Sequence, residues 1–410
     1  MPLIPVNGEN DRFHSRKSDT PEKSFELALK AGEINQRDKE LILEYVYERT
    51  ITNGIKAKRV HKIVSSLISC RRFLGPYAEN TYLDIYQGIS RIQSGGPRTG
   101  GEYAQNTRGD LILILKAFTL WMIENGYLQN VPEKKIQAIK VPKKVATKDA
   151  ADILSVQEVE AMLAACTYTR NRAILMMLYE GGFRAGEIGQ MKWRDIQVDN
   201  AGLIVHVIFK TDKHRYVRLV LAREHVITWR SEYPLEYSDE NYVFVTEKGT
   251  PLSYATIAKL VNRTAKLAKI TKHITPHIFR HSRITHLLQQ GVNESVVKMM
   301  MWGTIESRMF INYAHLTGSD VDREMFKLYG METSPQASIE KLEPKICAYC
   351  KEINSPVSHH CHICGHALSE NAIHSSEAFH QFILNNSDLL VEYLQERKAN
   401  GGDQPIVEPL

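Results

Sequence analysis

Apolar residues recur at three- and four-residue spacing through QRDKELILEYVYERT (36–50), KRVHKIVSSLISCRRFL (58–74) and TRGDLILILKAFTLWMIENGYL (107–128). That periodicity predicts amphipathic helices. Gly54, Gly75-Pro76 and the loop SGGPRTGG (94–101) punctuate them, as backbone-permissive and ring-locked residues do between elements. Residues 1–20 are polar and predict a flexible N-terminus, and residues 21–135 then read as a four- or five-helix domain. A lysine-rich linker follows over 136–150, around Val141-Pro142-Lys143-Lys144.

The pattern changes in a second domain, 151–330. Ser155 with Glu158 three residues on forms a capping box, and NRAILMMLYE predicts a helix stopped by Gly181-Gly182. LIVHVIF (203–209) and RYVRLVL (215–221) are rich in branched residues and read as two strands, joined by the turn KTDKH. More helices follow. A linker (331–345), a cysteine cluster (346–368) and a helical tail (369–410) complete the chain. The fold class expected is mainly α with a small β hairpin or sheet.

Composition adds little until charge is placed along the chain. The net charge is +5, yet three stretches hold no acid at all: 55–78, 134–148 and 248–293. The first carries Lys56, Lys58, Arg59, Lys62, Arg71 and Arg72, and the last includes Arg280 and Arg283. Such one-sided segments suit a polyanion. No apolar run reaches the ~18 residues of a membrane span, and MPLIPVNGENDRFH has no signal-peptide core. Cys70 and Cys166 stand alone in apolar helical contexts, which is not a disulfide framework. A cytoplasmic, nucleoid-associated protein with no membrane partner is expected.

Several side chains have the makings of a phosphate site. In TPHIFRHSRITHLLQQG (275–291), Thr275 suits an N-cap, Pro276 the first helical position and Gly291 the stop. His277, Arg280, His281 and Ile284 then share a face, and a His and an Arg in the first turns make an anion site. Arg184 follows the Gly181-Gly182 turn and opens another helix, with Glu187 placed to orient it. Lys210 ends a strand, and Lys213 lies in the turn that follows. In WGTIESRMFINYAHLTG (302–318), Ser307 caps a short helix holding Tyr313.

Taken in order, Arg184, Lys210, His277-x-x-Arg280 and Tyr313 resemble the tyrosine recombinase (phage-type integrase, XerC/XerD-like) family. GGFRAGEIGQMKW matches its first box, VIFKTDKHRYVRL its hairpin and TPHIFRHSRITHLLQQGV its His–Arg box. The hairpin match favours Lys210 over Lys213 as the catalytic lysine, leaving Lys213 a DNA contact. One position departs: Thr304 stands where the family has a second His or Trp, with Trp302 two residues away. Either side chain could serve there. Trp-Gly-Thr ahead of Tyr-x-His-Leu resembles archaeal members.

The resemblance implies a helical, SAM-like core-binding domain and a catalytic domain closing on duplex DNA at specific sites. Tyr313 would attack phosphorus and leave a 3′-phosphotyrosine. Arg184 and Arg280 would neutralise the non-bridging oxygens, with His277 and Lys210 handling protons. Religation would need neither ATP nor a catalytic metal. A dimer on paired half-sites and a homotetramer in synapsis are implied, with accessory DNA-bending proteins as further partners. The helix predicted from Ser319-x-x-Asp322 would dock on a neighbour. The rivals are a type IB topoisomerase-like strand transferase and a non-catalytic DNA-binding regulator on the same scaffold. Separately, Cys347-x-x-Cys350, ten residues, then Cys361-x-x-Cys364 is the spacing of a structural zinc ribbon. His359, His360, His362 and His366 crowd it and leave a His-for-Cys exchange open.

Overall fold

In a computed structural model, residues 13, 20–145, 153–209, 213–307, 325–326, 329–331 and 341–399 are described. The chain forms two compact units, residues 1–149 and 150–410.

The first unit is helical: α1 (Pro21–Lys30), α2 (Gln36–Asn53), α3 (Ala57–Cys70), α4 (Tyr82–Ser94), α5 (Gln105–Glu124) and the short α6 (Glu133–Gln137). Asn35 and Asp38 exchange side-chain and backbone hydrogen bonds at the start of α2, and Gly54 ends it in the left-handed conformation (φ 59°). Only glycine enters that region without a Cβ penalty. Along α3, Val60, Ile63, Val64 and Leu67 are buried and pack toward α1, α2 and α5. Tyr45, Phe118 and Trp121 supply the aromatic centre, with ring centroids 5.3 to 5.8 Å apart.

Lys56, Lys58, Arg59 and Lys62 lie on the exposed side of α3 and its N-cap, where Lys62 pairs with Asp110 at 2.5 Å. Arg72 is exposed and bonds Gly96 O at 3.3 Å. Arg71 is a correction. Its side chain is 11% exposed and is ion-paired to the buried Asp38 at 2.6 Å, and it also donates to Leu74 O. Asp38 needs that cation because an unpaired buried carboxylate is costly. Arg71 therefore holds α2 to α3 rather than meeting phosphate.

The second unit contains α7 (Val156–Ala164), α8 (Thr169–Glu180), α9 (Ala185–Gln190), β1 (Ile196–Asp199), β2 (Gly202–Phe209), β3 (Lys213–Leu219), α10 (Ala222–Ser231), α11 (Tyr254–Leu267), α12 (Pro276–Gln289) and α13 (Glu294–Trp302). Ser155 and Glu158 form the expected capping box on α7. The sheet is antiparallel in the order β1-β2-β3, with Val205 opposite Ile196 on one side and Val217 on the other. The fold is mainly helical with small antiparallel sheets, as expected, but β1 has too little apolar content to be predicted. α12 lies against α8, where buried Tyr179 and His286 share a hydrogen bond of 2.8 Å. On α11, Lys259, Arg263 and Lys266 are exposed and fall along one face, opposite buried Ile257, Val261 and Ala265. Among the described residues no helix is long and apolar enough to cross a membrane.

The same unit holds the C-terminal strands β4 (Lys345–Ile346) and β5 (Ile353–Asn354), followed by α14 (Glu370–Asn385) and α15 (Ser387–Ala399). The segment around β5 meets α10. Glu224 accepts from Ser355 N and Ser358 Oγ, both at 2.5 Å, and His225 Nε2 lies 2.9 Å from Ser355 Oγ. Arg223 is paired with Glu352.

Burial of His225 outweighs the attraction of Glu224; Arg172 and His362 add to it, and its pKa falls from 6.5 to about 4. A base whose folded pKa is depressed gives stability that is complete above the unfolded pKa and is lost as pH falls toward the folded one. Stability should therefore decline from pH 6.5 toward 4, by at most about 3 kcal/mol. Urea titrations at neutral and mildly acidic pH measure this. His225→Gln should flatten the decline, and an identical acid loss in the variant would remove His225 as its cause.

Candidate active site and metal centre

The site begins where α8 stops. After Glu180 the chain turns through Gly181 and Gly182, and Gly182 is left-handed (φ 56°). A Cβ on Gly182 would also press on the flexible end of Met301, 2.6 Å from its Sδ, but it is the backbone angle that calls for glycine. Arg184 follows as the N-cap of α9. Glu187 receives Arg184 N at 2.8 Å and Arg184 Nη1 at 2.9 Å. The carboxylate is fully buried while the Arg184 side chain remains 36% exposed. The charge is thus held from inside and offered outward at a helix N-terminus, where anions are favoured.

Arg280 is 2% exposed. Its Nη1 donates to Gly182 O at 2.6 Å and its Nη2 to Met301 O at 2.5 Å. His277, three residues earlier on α12, is exposed; its ring stands edge-on to His281 at 4.5 Å. Thr275 takes the N-cap position as expected, but its side chain makes no capping bond. Arg283 donates Nε to Glu180 O at 3.1 Å and lies over the Tyr179 ring. It is half-buried and braces α12 on α8.

Sequence reading missed Arg215. This guanidinium is 3% exposed and pairs with Glu187 at 2.7 Å. It also donates to Met300 O at 3.1 Å and Met301 O at 2.5 Å. Burial lowers its pKa, and Glu187 partly offsets that. A signal existed: on β3 the period of two puts Arg215 on the face of Val217 and Leu219, which are fully buried.

One polar path therefore runs from Arg184 through Glu187, Arg215 and the Met301 carbonyl to Arg280. It ties α9, β3, the end of α13 and α12 together. Gly303, left-handed at φ 69°, ends α13 so close to β3 that a Cβ would meet His214 O at 2.8 Å. Trp302 lies with its ring 5.2 Å from the Arg280 guanidinium carbon. Thr304 is instead occupied in the next turn, where its Oγ1 accepts from Glu306 N at 3.3 Å. Lys210 and Tyr313, with Ser319 and Asp322, lie outside the described residues, as does the side chain of Lys213.

The Phage integrase family profile matches residues 152–319, which take in Arg184, Arg280 and Tyr313. Over this stretch the chain is similar to the tyrosine recombinase (phage integrase) family.

Among its relatives, Tyrosine recombinase XerD of Staphylococcus saprophyticus is 29% identical over 296 residues, covering 70% of this chain and 97% of that one. Transposase A from transposon Tn554 of Staphylococcus aureus is 29% identical over 215 residues. That match covers 49% of this chain, which spans 59% of the transposase's length. Two solved structures share the recombinase fold. The Tn1549 transposon integrase in complex with transposon right end DNA has TM-score 0.54 at 17% identity, covering 70% of this chain and 99% of that chain. The XerH site-specific recombinase bound to difH substrate has TM-score 0.52 at 18% identity, covering 79% and 98%.

The cysteine cluster lies beyond the stretch matched to the recombinase family. The four Sγ atoms of Cys347, Cys350, Cys361 and Cys364 all lie within 4.8 Å of one another. Cys347 and Cys364 are 3.6 Å apart, Cys350 and Cys361 3.5 Å. A tetrahedral ion with metal–sulfur bonds of about 2.3 Å sets sulfurs roughly 3.8 Å apart, so the donor set fits. Among the neighbouring histidines, His362 Nδ1 lies 2.9 Å from Asn354 Oδ1 and His359 Nδ1 2.9 Å from Ser369 Oγ, and His366 stacks beside the Tyr349 ring.

Proposed function

We propose that this chain is a site-specific DNA strand transferase that cuts and rejoins duplex DNA through Tyr313. The polar path joining Arg184 to Arg280 carries this reading. It fixes one exposed and one buried guanidinium in a single rigid unit, the arrangement that charge building on a phosphoryl group requires. Tyr313 Oη attacks phosphorus as the bond to the 5′-oxygen breaks, its proton passing to His277. Lys210 protonates the departing oxygen, leaving a 5′-hydroxyl and a 3′-phosphotyrosine. Religation is the reverse. The ring of Trp302, beside Arg280, favours it over Thr304 for the remaining contact, and the Trp-Gly-Thr sequence aligns the chain with archaeal members.

Duplex DNA at a specific site is the substrate. It meets the exposed cations Lys56, Lys58, Arg59, Lys62 and Arg72 of the first unit and those of α11 in the second, with Lys213 on the hairpin. Protomers pair on half-sites and assemble as a homotetramer for strand exchange, in the cytoplasm on the nucleoid, with DNA-bending proteins as accessory partners. The process served is integration or excision of a mobile or viral element, or chromosome dimer resolution. The four cysteines hold a structural zinc ion, which keeps the segment folded and takes no part in the chemistry.

Covalent trapping tests this. The protein is incubated with nicked DNA fragments and denatured in detergent, and DNA attached to protein is measured. Tyr313→Phe should abolish attachment while leaving duplex binding within about twofold. Tight binding without attachment by the unaltered protein would replace the reading with a DNA-binding regulator. Attachment spread over unrelated sequences would indicate a topoisomerase-like activity.

A further inference from the structure

The cysteine module is not built as a separate arm. Its contact with α10 is polar and deeply buried: Ser355 is fully buried, Asn354 1% and His225 4% exposed. Buried polar atoms are tolerated where each finds a partner. Here Glu224 receives both Ser355 N and Ser358 Oγ, His225 meets Ser355 Oγ and Arg223 pairs with Glu352, the buried Arg223 Nε alone making no hydrogen bond among these residues.

The same stretch of chain is gripped from its other side. Val220, Leu221 and Ala222 donate their amides to the Glu180 carboxylate at 2.7, 3.0 and 2.8 Å. Glu180 is buried, and desolvation raises its pKa against the pull of those amides. It is also the last residue of α8, directly ahead of Gly181-Gly182. The Gly182 carbonyl receives Arg280, and Arg184 follows two residues later. Residues 220–225 are thus a strut with the arginine turn on one end and the cysteine module on the other.

The module cannot hold its side of this contact by packing. Among the described residues from 341 to 368, the buried apolar side chains are Leu342, Cys347 and Cys361, and its strands β4 and β5 have two residues each. A segment this small needs a metal or a disulfide to fold. The docking residues 352–358 form the loop between the two cysteine pairs, so closing the four thiolates on an ion sets the shape of the docking edge.

We infer that the metal-closed cysteine module is a brace on the catalytic unit: through Glu224, His225 and Arg223 it steadies α10, and through Glu180 the turn that presents Arg184 and anchors Arg280. Glu224 is a positioning residue, remote from the reacting atoms. The inference rests on the cysteines binding a metal as proposed above, and that part is measured separately.

The experiment is amide hydrogen exchange on the full chain as purified, after chelation, and as Glu224→Ala, with metal content determined by atomic emission. Chelation should speed exchange about tenfold or more in residues 180–186 and 220–226 as well as in 345–364. Glu224→Ala should do the same in 180–186 and 220–226 while keeping its metal. Strand cleavage by that variant should fall about tenfold with duplex affinity within twofold. Metal loss that loosens only 345–364, or a Glu224→Ala variant that loses DNA affinity instead of cleavage, would overturn the brace and make the module an independent DNA-binding arm. A purified protein without metal would overturn the metal reading and the metal dependence together, leaving Glu224→Ala to decide the docking by itself.

Discussion

Arg280→Lys is expected to reduce strand cleavage by at least about a thousandfold, the scale seen when one preorganised donor is removed from a charge-stabilising site. Duplex binding should change little. The reason is geometric. The guanidinium sends Nη1 to Gly182 O and Nη2 to Met301 O, and its plane fixes both carbonyls at once. A lysine keeps the charge but has one nitrogen on a flexible stem and cannot span them. The Gly182 turn and the end of α13 would then lose their common anchor, and with it the placement of Arg184 and Trp302. Single-turnover trapping measures the cleavage step, and a gel shift measures binding. Cleavage within tenfold of the unaltered enzyme would show that charge alone suffices and that the bridging geometry is dispensable.

The parts of this site that were legible in the sequence are those whose cause is local. Gly181-Gly182 before Arg184, the Ser155–Glu158 box and Pro276 at the start of α12 each act over a few residues, and each element forms where its signal stands. The four cysteines are legible for a related reason: their spacing is itself the chemistry. What escaped depends on partners far along the chain. Arg71 and Arg72 are adjacent, yet Asp38 takes Arg71 into the core while Arg72 stays outside, and charge counting cannot separate them. Nor does spacing show that Arg283 donates to the backbone carbonyl of Glu180. The alternatives Trp302 and Thr304 rested on a residue count, which does not show that the Trp302 ring lies 5.2 Å from the Arg280 guanidinium carbon. The docking of the cysteine module on α10 pairs residues about 130 positions apart, and no spacing rule reaches that far.

Arg215 offers the second large effect, on stability as well as catalysis. It is the buried link between the hairpin and both arginines, and Glu187 depends on it. Arg215→Met conserves apolar length but leaves the fully buried Glu187 carboxylate with Arg184 as its remaining cation. Breaking a buried pair from one side costs about 3–5 kcal/mol. Because Arg184 is partly exposed and still in place, the lower end of that range is expected, read as a fall in the urea midpoint. Adding Glu187→Gln removes the stranded charge, so the double variant should be more stable than the sum of the two single losses predicts. Cleavage should not recover with stability, since Arg184 then lacks the carboxylate that orients it, Met300 O loses the Arg215 donor and Met301 O keeps only Arg280. Strictly additive losses would mean that Arg215 and Glu187 act independently. The path from Arg184 to Arg280 would then be a row of neighbours rather than one coupled frame, and the two guanidiniums would owe their placement to packing alone.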